Sequence, residues 1–315
     1  MGIKTAASPQ LTVHLMGGLG NQLFQYAFGR NLALANGARL VLDASGYQRQ
    51  DVQGSSTGVR TCELEHFNIV GEIVCGSDRR SGSGLAILRR IGKILRLLRR
   101  ISDTGKPYFC RQEILEPRSN YYHFDPRVLC RKFTGSVYVR GFWQSEKYFL
   151  PIEERLRSEL AWRTAMTPEN LEFANRIQET KSVAVHVRHG DNARAAAQAM
   201  GVLPREYYET TLRALGEELG EPWFFVFSDE IAWARHLLGA RPGITYVARD
   251  KPGEAHQDLE LMALCKHHIV ANSTLSWWGA WLGKKSGQIV YAPRRYFQNV
   301  DRPNPDLYPE SWRLV

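Results

Sequence analysis

No run of about 18 consecutive apolar residues occurs in the 315-residue sequence, which excludes a membrane-spanning helix. Cysteine is scarce. The five present, Cys62, Cys75, Cys110, Cys130 and Cys265, are odd in number and lack close CxxC spacing. This argues against a disulfide framework and a zinc site and favours reduced, mostly buried thiols. The opening segment MGIKTAASPQ has neither the length nor the apolar run of a secretory signal. No Gly-Lys-Ser/Thr follows the glycine-rich segment at Gly17, so it is not a Walker loop.

What is present is ordinary in bulk, with 43% hydrophobic and 23% charged residues, as in folded globular proteins. The length suits two α/β domains of roughly 150 residues each. A formal charge of +9 favours an anionic ligand, an anionic membrane surface or nucleic acid. Part of that excess is concentrated in LAILRRIGKILRLLRRI, Leu85 to Ile101, with six basic residues and no acidic one. Its apolar residues recur at helical spacing, so it reads as a basic amphipathic helix that lies either on an anionic membrane or on its own domain. The expected location is cytoplasmic, with peripheral contact at the inner membrane face as the extension of that reading.

The N-terminal half opens with a βαβ unit: strand Leu11 to Met16, the loop Gly17-Gly18-Leu19-Gly20, a helix from about Asn21 to Asn36, a stop at Gly37 and strand Arg39 to Asp43. The signal then weakens until strand Ser136 to Val139 and a helical region from Gln144 to Leu160. In the second half, strands at Ser182 to Val187, Trp223 to Phe227, Ile244 to Ala248, His268 to Ala271 and Gln288 to Ala292 alternate with helical patterns. This predicts a doubly wound parallel sheet. The expected domains are 1–165 and 166–315, with the boundary near Thr164 to Pro168.

Three motifs fall at strand carboxyl ends, where α/β proteins place their chemistry. The glycine loop lets backbone amides approach an anion at a helix N-terminus, or simply makes a tight turn. Leu23 occupies the place of the third glycine in a dinucleotide fingerprint, although Asp43 keeps a nicotinamide reading open. In His186-Val187-Arg188-His189-Gly190-Asp191, His186 and Arg188 share a face. Arg188 can clamp a phosphate and His186 can reach a base or ribose, or Arg188 pairs with Asp191 structurally. Ser228-Asp229-Glu230 can accept guanine N–H groups or cap a helix. In Ala271 to Leu282, Ser273 and Ser276 can donate to phosphate, while Trp277, Trp278 and Trp281 suit a core.

Taken together, GGLGNQLFQYAFGRNLA (Gly17 to Ala33), VYVRGFWQSEKYF (Val137 to Phe149), VAVHVRHGD (Val183 to Asp191), FVFSDE (Phe225 to Glu230) and LMALCKHHIVANSTLSWWGAWL (Leu261 to Leu282) resemble the α-1,2-fucosyltransferases of glycosyltransferase family 11. The resemblance implies a GT-B-like α/β fold of two Rossmann-type domains facing a cleft, with the acceptor on the N-terminal side and GDP-fucose on the C-terminal side. It implies inverting transfer of L-fucose to a galactoside 2-hydroxyl, without a metal or other cofactor. By position, Arg188 is expected at the β-phosphate, His186 near the nucleoside, Asp229 or Glu230 at the guanine, Ser273 and Ser276 near the diphosphate, and Gly18, Gly20 and Asn21 facing the pyrophosphate and fucose. Asp191 is the first candidate for the base.

Two departures stand out. His189 replaces the family's second arginine, which removes a permanent charge from the donor site, and Asp229-Glu230 stands where two aspartates are frequent. The expected partners are GDP-fucose and a galactose-terminated oligosaccharide or lipid-linked glycan, in surface-polysaccharide or oligosaccharide synthesis, and not nucleic acid. The rival readings are an NAD(P)-dependent oxidoreductase and a basic nucleic-acid-binding protein, the latter without any recognition motif.

Overall fold

A computed structural model of the chain describes residues 8–47, 61–75, 112–189, 195–248 and 255–315. The basic segment 85–101 and Asp191 lie outside the described residues. The first sheet contains β1 (Gln10–His14), β2 (Arg39–Asp43), β3 (Glu72–Val74), β4 (Gln112–Leu115) and β5 (Ser136–Arg140), in the order β3-β2-β1-β5-β4. The second contains β6 (Ser182–Val187), β7 (Trp223–Ser228), β8 (Ile244–Tyr246), β9 (His267–Ile269), β10 (Val290–Ala292) and β11 (Arg313–Leu314), in the order β11-β10-β9-β6-β7-β8. Every pairing is parallel. The central strand β6, SVAVHV, is buried along its whole length, as the centre of a parallel sheet covered on both faces must be.

The described helices are α1 (Leu19–Ala35), α2 (Pro126–Leu129), α3 (Glu153–Glu159), α4 (Pro168–Glu179), α5 (Ala195–Met200), α6 (Arg205–Leu219), α7 (Ile231–Leu238), α8 (Ala255–Leu264) and α9 (Thr274–Leu282). Their ends carry the expected chemistry. Thr167 caps α4 by accepting from the Asn170 amide, with Pro168 at the first helical position. Gly37, at φ +58°, supplies the left-handed residue after α1. The helical region expected from Gln144 becomes two 3-10 turns before α3, because Pro151 cannot continue a hydrogen-bonded helix.

Each sheet reverses its strand order beside its first strand, and α1 and α9, the helices that follow β1 and β9 at those two points, meet. The fold is GT-B-like. At the meeting point, Gly20 of α1 lies directly under the Thr274–Leu275 backbone of α9, where an added Cβ would fall 2.4 Å from the Thr274 carbonyl carbon.

Because α1 is covered by its own sheet and by α9, it is almost wholly buried. Phe24 contacts Trp277 and Trp278 at ring distances of 4.5 and 5.1 Å, and Phe149 stacks on Trp278. Such pairs add about 0.5–1.5 kcal/mol each beyond area burial. The tryptophans are therefore interdomain core. Buried polar side chains lace the same helix in place. Arg30 binds the carboxylate of Glu159, Gln25 joins Met16 to Gly141, and Gln22 reaches Thr61 and Glu63.

The chain then returns to the first domain before ending in β11. Asp306 accepts from the Phe124 amide and from Lys147, and Tyr296, Phe297, Leu307, Tyr308 and Trp312 join the N-terminal core.

Candidate functional site

The crevice of the second sheet lies between β6 and β9. The pairing of Val185 with Ile269, continued along both strands, brings Arg188 beside Asn272. The Arg188 guanidinium donates from Nη1 to the Asn272 carbonyl at 3.1 Å and touches the Met200 sulfur at 3.3 Å. Asn272 in turn donates to the Met200 and Gly201 carbonyls at 3.0 Å each. The arginine is thus held, half-buried, where α9 begins. A fixed positive charge stands beside the positive end of a helix dipole, an arrangement that favours an anion.

His186, one turn of the pleat earlier, is buried. Among the described residues, its Nδ1 has no hydrogen-bond partner, and neither does Asn272 Oδ1. Two orphaned buried polar atoms in one crevice are costly unless a ligand or water meets them. Burial is the main force pushing the His186 pKa down to about 4, with Arg188 acting in the same direction and Asp229 opposing it. His186 is therefore neutral at pH 7, a polar reader and not a second cation.

Across the other edge of β6, Asp229 Oδ1 accepts from the His189 amide at 2.9 Å and so fixes the ends of β6 and β7 together. The His189 ring lies 4.6 Å from Trp233. Glu230 is exposed and makes no side-chain cap to α7. The hydroxyl of Ser228 accepts from the Glu230 amide instead, so the capping alternative does not apply to Glu230.

Four residues expected at the ligand have other occupations. The Ser276 hydroxyl accepts from the Ala271 amide and donates to the Ser273 carbonyl, and the residue is 1% exposed, so it locks the turn. Ser273 accepts from the Leu275 amide as the α9 cap, which leaves its hydroxyl proton free to donate. Gly20 faces the α9 backbone, the result of close helix packing between the domains. Asn21 folds against Gly17 and accepts from Gln144 at 2.6 Å. Of the loop glycines, Gly18 opens onto space in which no heavy atom of the described residues lies within 4 Å of an added Cβ.

Sequence reasoning passed over Asn272 and Tyr296, a buried phenol on which the Arg188 charge acts. Asn272 had a usable signal in its place at the end of an apolar strand. Tyr296 had none, because it arrives from a part of the chain without regular structure. Among the described residues, no three His, Cys, Asp or Glu side chains cluster as metal ligands would.

Comparison with known proteins bears on what such a site serves. A sequence model for glycosyl transferase family 11 matches residues 117–313. An alpha-1,2-colitosyltransferase of Escherichia coli is 31% identical over 313 residues, covering 96% of this chain and 97% of its own. The O-antigen biosynthesis glycosyltransferase WbnK of Escherichia coli is 29% identical, covering 95% and 98%. The galactoside 2-alpha-L-fucosyltransferase Sec1 of Mus musculus is 30% identical over a shorter stretch, 43% of this chain and 39% of its own.

Proposed function

Because the chain belongs to glycosyl transferase family 11, we propose that it moves L-fucose from GDP-fucose to the 2-hydroxyl of a galactoside, with inversion at the fucose carbon. The observation that carries this reading is the Arg188 guanidinium anchored at the start of α9, beside the unpartnered His186 Nδ1 and Asn272 Oδ1.

As the bond from fucose C1 to the GDP oxygen breaks, negative charge grows on the diphosphate. A preorganised guanidinium and helix N-terminus stabilise it without reorganising. The remaining N–H groups of Arg188 bind the β-phosphate, and the Ser273 hydroxyl and Gly18 amide add donors. His186 reads the nucleoside, and Asp229 and Glu230 lie on the guanine side. The acceptor oxygen attacks from the opposite face, and its proton passes to a carboxylate, with Asp191 as the candidate base. The charge requirement is met by side chains and backbone, so the reaction proceeds without a metal. The acceptor is a galactose-terminated or lipid-linked glycan met at the cytoplasmic face of a membrane.

The likeness to a colitosyltransferase favours a second donor. Colitose is fucose without its 3-hydroxyl, and the same phosphate clamp serves both. The test is release of GDP from GDP-fucose and from GDP-colitose, with and without lactose, followed by linkage determination of the product by NMR. Lactose-dependent release giving an α-1,2 product from GDP-fucose supports the proposal. Preference for GDP-colitose establishes the second donor, and release from neither, with no binding of GDP, rejects both.

A further inference from the structure

We propose that a cavity at the carboxyl ends of β4 and β5 is a saccharide subsite for the acceptor, in which Glu116 Oε1 accepts a hydrogen bond from a sugar hydroxyl. The inference rests on the transferase reading above and adds to it the residue that holds the acceptor.

The cavity measures about 340 Å³, at the lower end of small-molecule pockets (~300–1,000 Å³) and enough for a hexose. Glu116 follows β4 directly and is 8% exposed. Its Oε2 accepts from the Phe142 and Trp143 amides at 2.6 and 3.2 Å, and no bond among the described residues reaches Oε1. A carboxylate pinned through one oxygen, with the other left on a cavity, is a preorganised acceptor for a neutral hydroxyl. Trp143, which also lines the cavity, has a buried Nε1 without a partner among the described residues. Ile114, Val128 and Tyr148 supply apolar wall for the C–H face of a ring, the division of labour of a small-molecule site.

The backbone is shaped around this carboxylate. Trp143 holds φ at +55°, and a Cβ on Gly141 would meet the Glu116 Cβ at 2.4 Å. The same turn continues to Gln144, which donates to Asn21 in the first turn of α1, so the cavity lies at the same end of the first sheet as the start of α1.

The charge surroundings support the role. Burial pushes the Glu116 pKa up to about 7, against the two amide hydrogen bonds that lower it. The neighbouring Tyr121, Tyr122 and Tyr148 all have raised pKa values, mainly through burial, and stay neutral there. Across the cavity, Asp125 and Arg127 are paired with each other and Arg131 is exposed. Glu116 is thus the group that titrates near neutrality at this site.

The test compares the parent with Glu116→Gln, which keeps the volume and an oxygen for the two amides. GDP should stabilise both proteins thermally to the same extent. With lactose, the acceptor KM should rise about ten- to hundredfold, the scale of one hydrogen bond to a charged group. The parent's rise of kcat/KM for acceptor through pH 7 should disappear in the variant. Independently, NMR saturation transfer to methyl β-galactoside should be seen with the GDP-saturated parent and be lost in Glu116→Gln. An acceptor KM within twofold of the parent with the pH limb retained, or no saturation transfer in the parent, overturns the subsite and leaves the donor reading standing. Absence of GDP stabilisation in both proteins defeats the transferase reading itself.

Discussion

Gly20 holds the two domains at their distance, and Gly20→Ala measures how tightly. The added Cβ would lie 2.4 Å from the Thr274 carbonyl carbon, 2.6 Å from the Leu275 nitrogen and 2.6 Å from Thr274 Oγ1. Carbon atoms pack best at about 3.5–4.0 Å, so the two helix starts must part by roughly 1 Å. The obstacle is mainly backbone, which cannot turn aside as a side chain can. Overpacking of this kind costs about 1–3 kcal/mol. Alanine returns up to ~1 kcal/mol over glycine within a helix, leaving a net loss of up to about 2 kcal/mol. At about 2–4 °C per kcal/mol for domains of this size, Tm should fall by up to about 8 °C. Because α9 begins beside Asn272, the anchor of Arg188, GDP affinity should fall with it. The control is Gly18→Ala, at φ −82° with nothing within 4 Å, which should leave Tm unchanged. Differential scanning calorimetry of the two variants decides the matter. A Gly20→Ala protein as stable as Gly18→Ala would refute the packing argument.

Two further outcomes follow from buried ionisable groups. His186 and His268 have pKa values held down to about 4 and about 3 by burial, so the unfolded chain binds protons that the folded chain refuses. Their contribution is whole above the ordinary histidine pKa of 6.5 and is lost as pH falls toward 4. Denaturation midpoints should therefore drop across that window, and a flat profile between pH 6.5 and 4.5 would count against it. Arg30 donates from Nε and Nη2 to Glu159 in the core at 3.0 and 2.8 Å. Arg30→Met should destabilise by about 3–5 kcal/mol in urea unfolding, with Arg30→Met combined with Glu159→Met recovering part of the loss.

Much of this molecule is legible along the chain, for physical reasons that differ by segment. Ser182–Val187 and Arg39–Asp43 are short apolar runs bounded by turn residues, and both are strands over those same residues. β3, β4 and β11 escape notice because they are edge strands of two to four residues with exposed positions, and their partners define them more than their own sequence does. The site motifs stand out because polar residues interrupt apolar ones at strand ends. Their division of labour is hidden. Gly18 and Gly20 look alike in sequence and differ only in what faces them, open space for one and a helix of the other domain for the other. Ser273 and Ser276 look alike too, and the turn consumes both hydroxyl bonds of the second. Glu116 gives no signal, since its meaning comes from Phe142 and Trp143, more than twenty residues along the chain.

The most direct test is calorimetric titration of GDP into the parent protein and into Arg188→Ala. One GDP bound per chain by the parent, with affinity lowered about a hundredfold or more in the variant, is the result expected of a guanidinium that clamps the diphosphate. No binding by the parent, or equal affinity in the two proteins, would contradict the donor site described here.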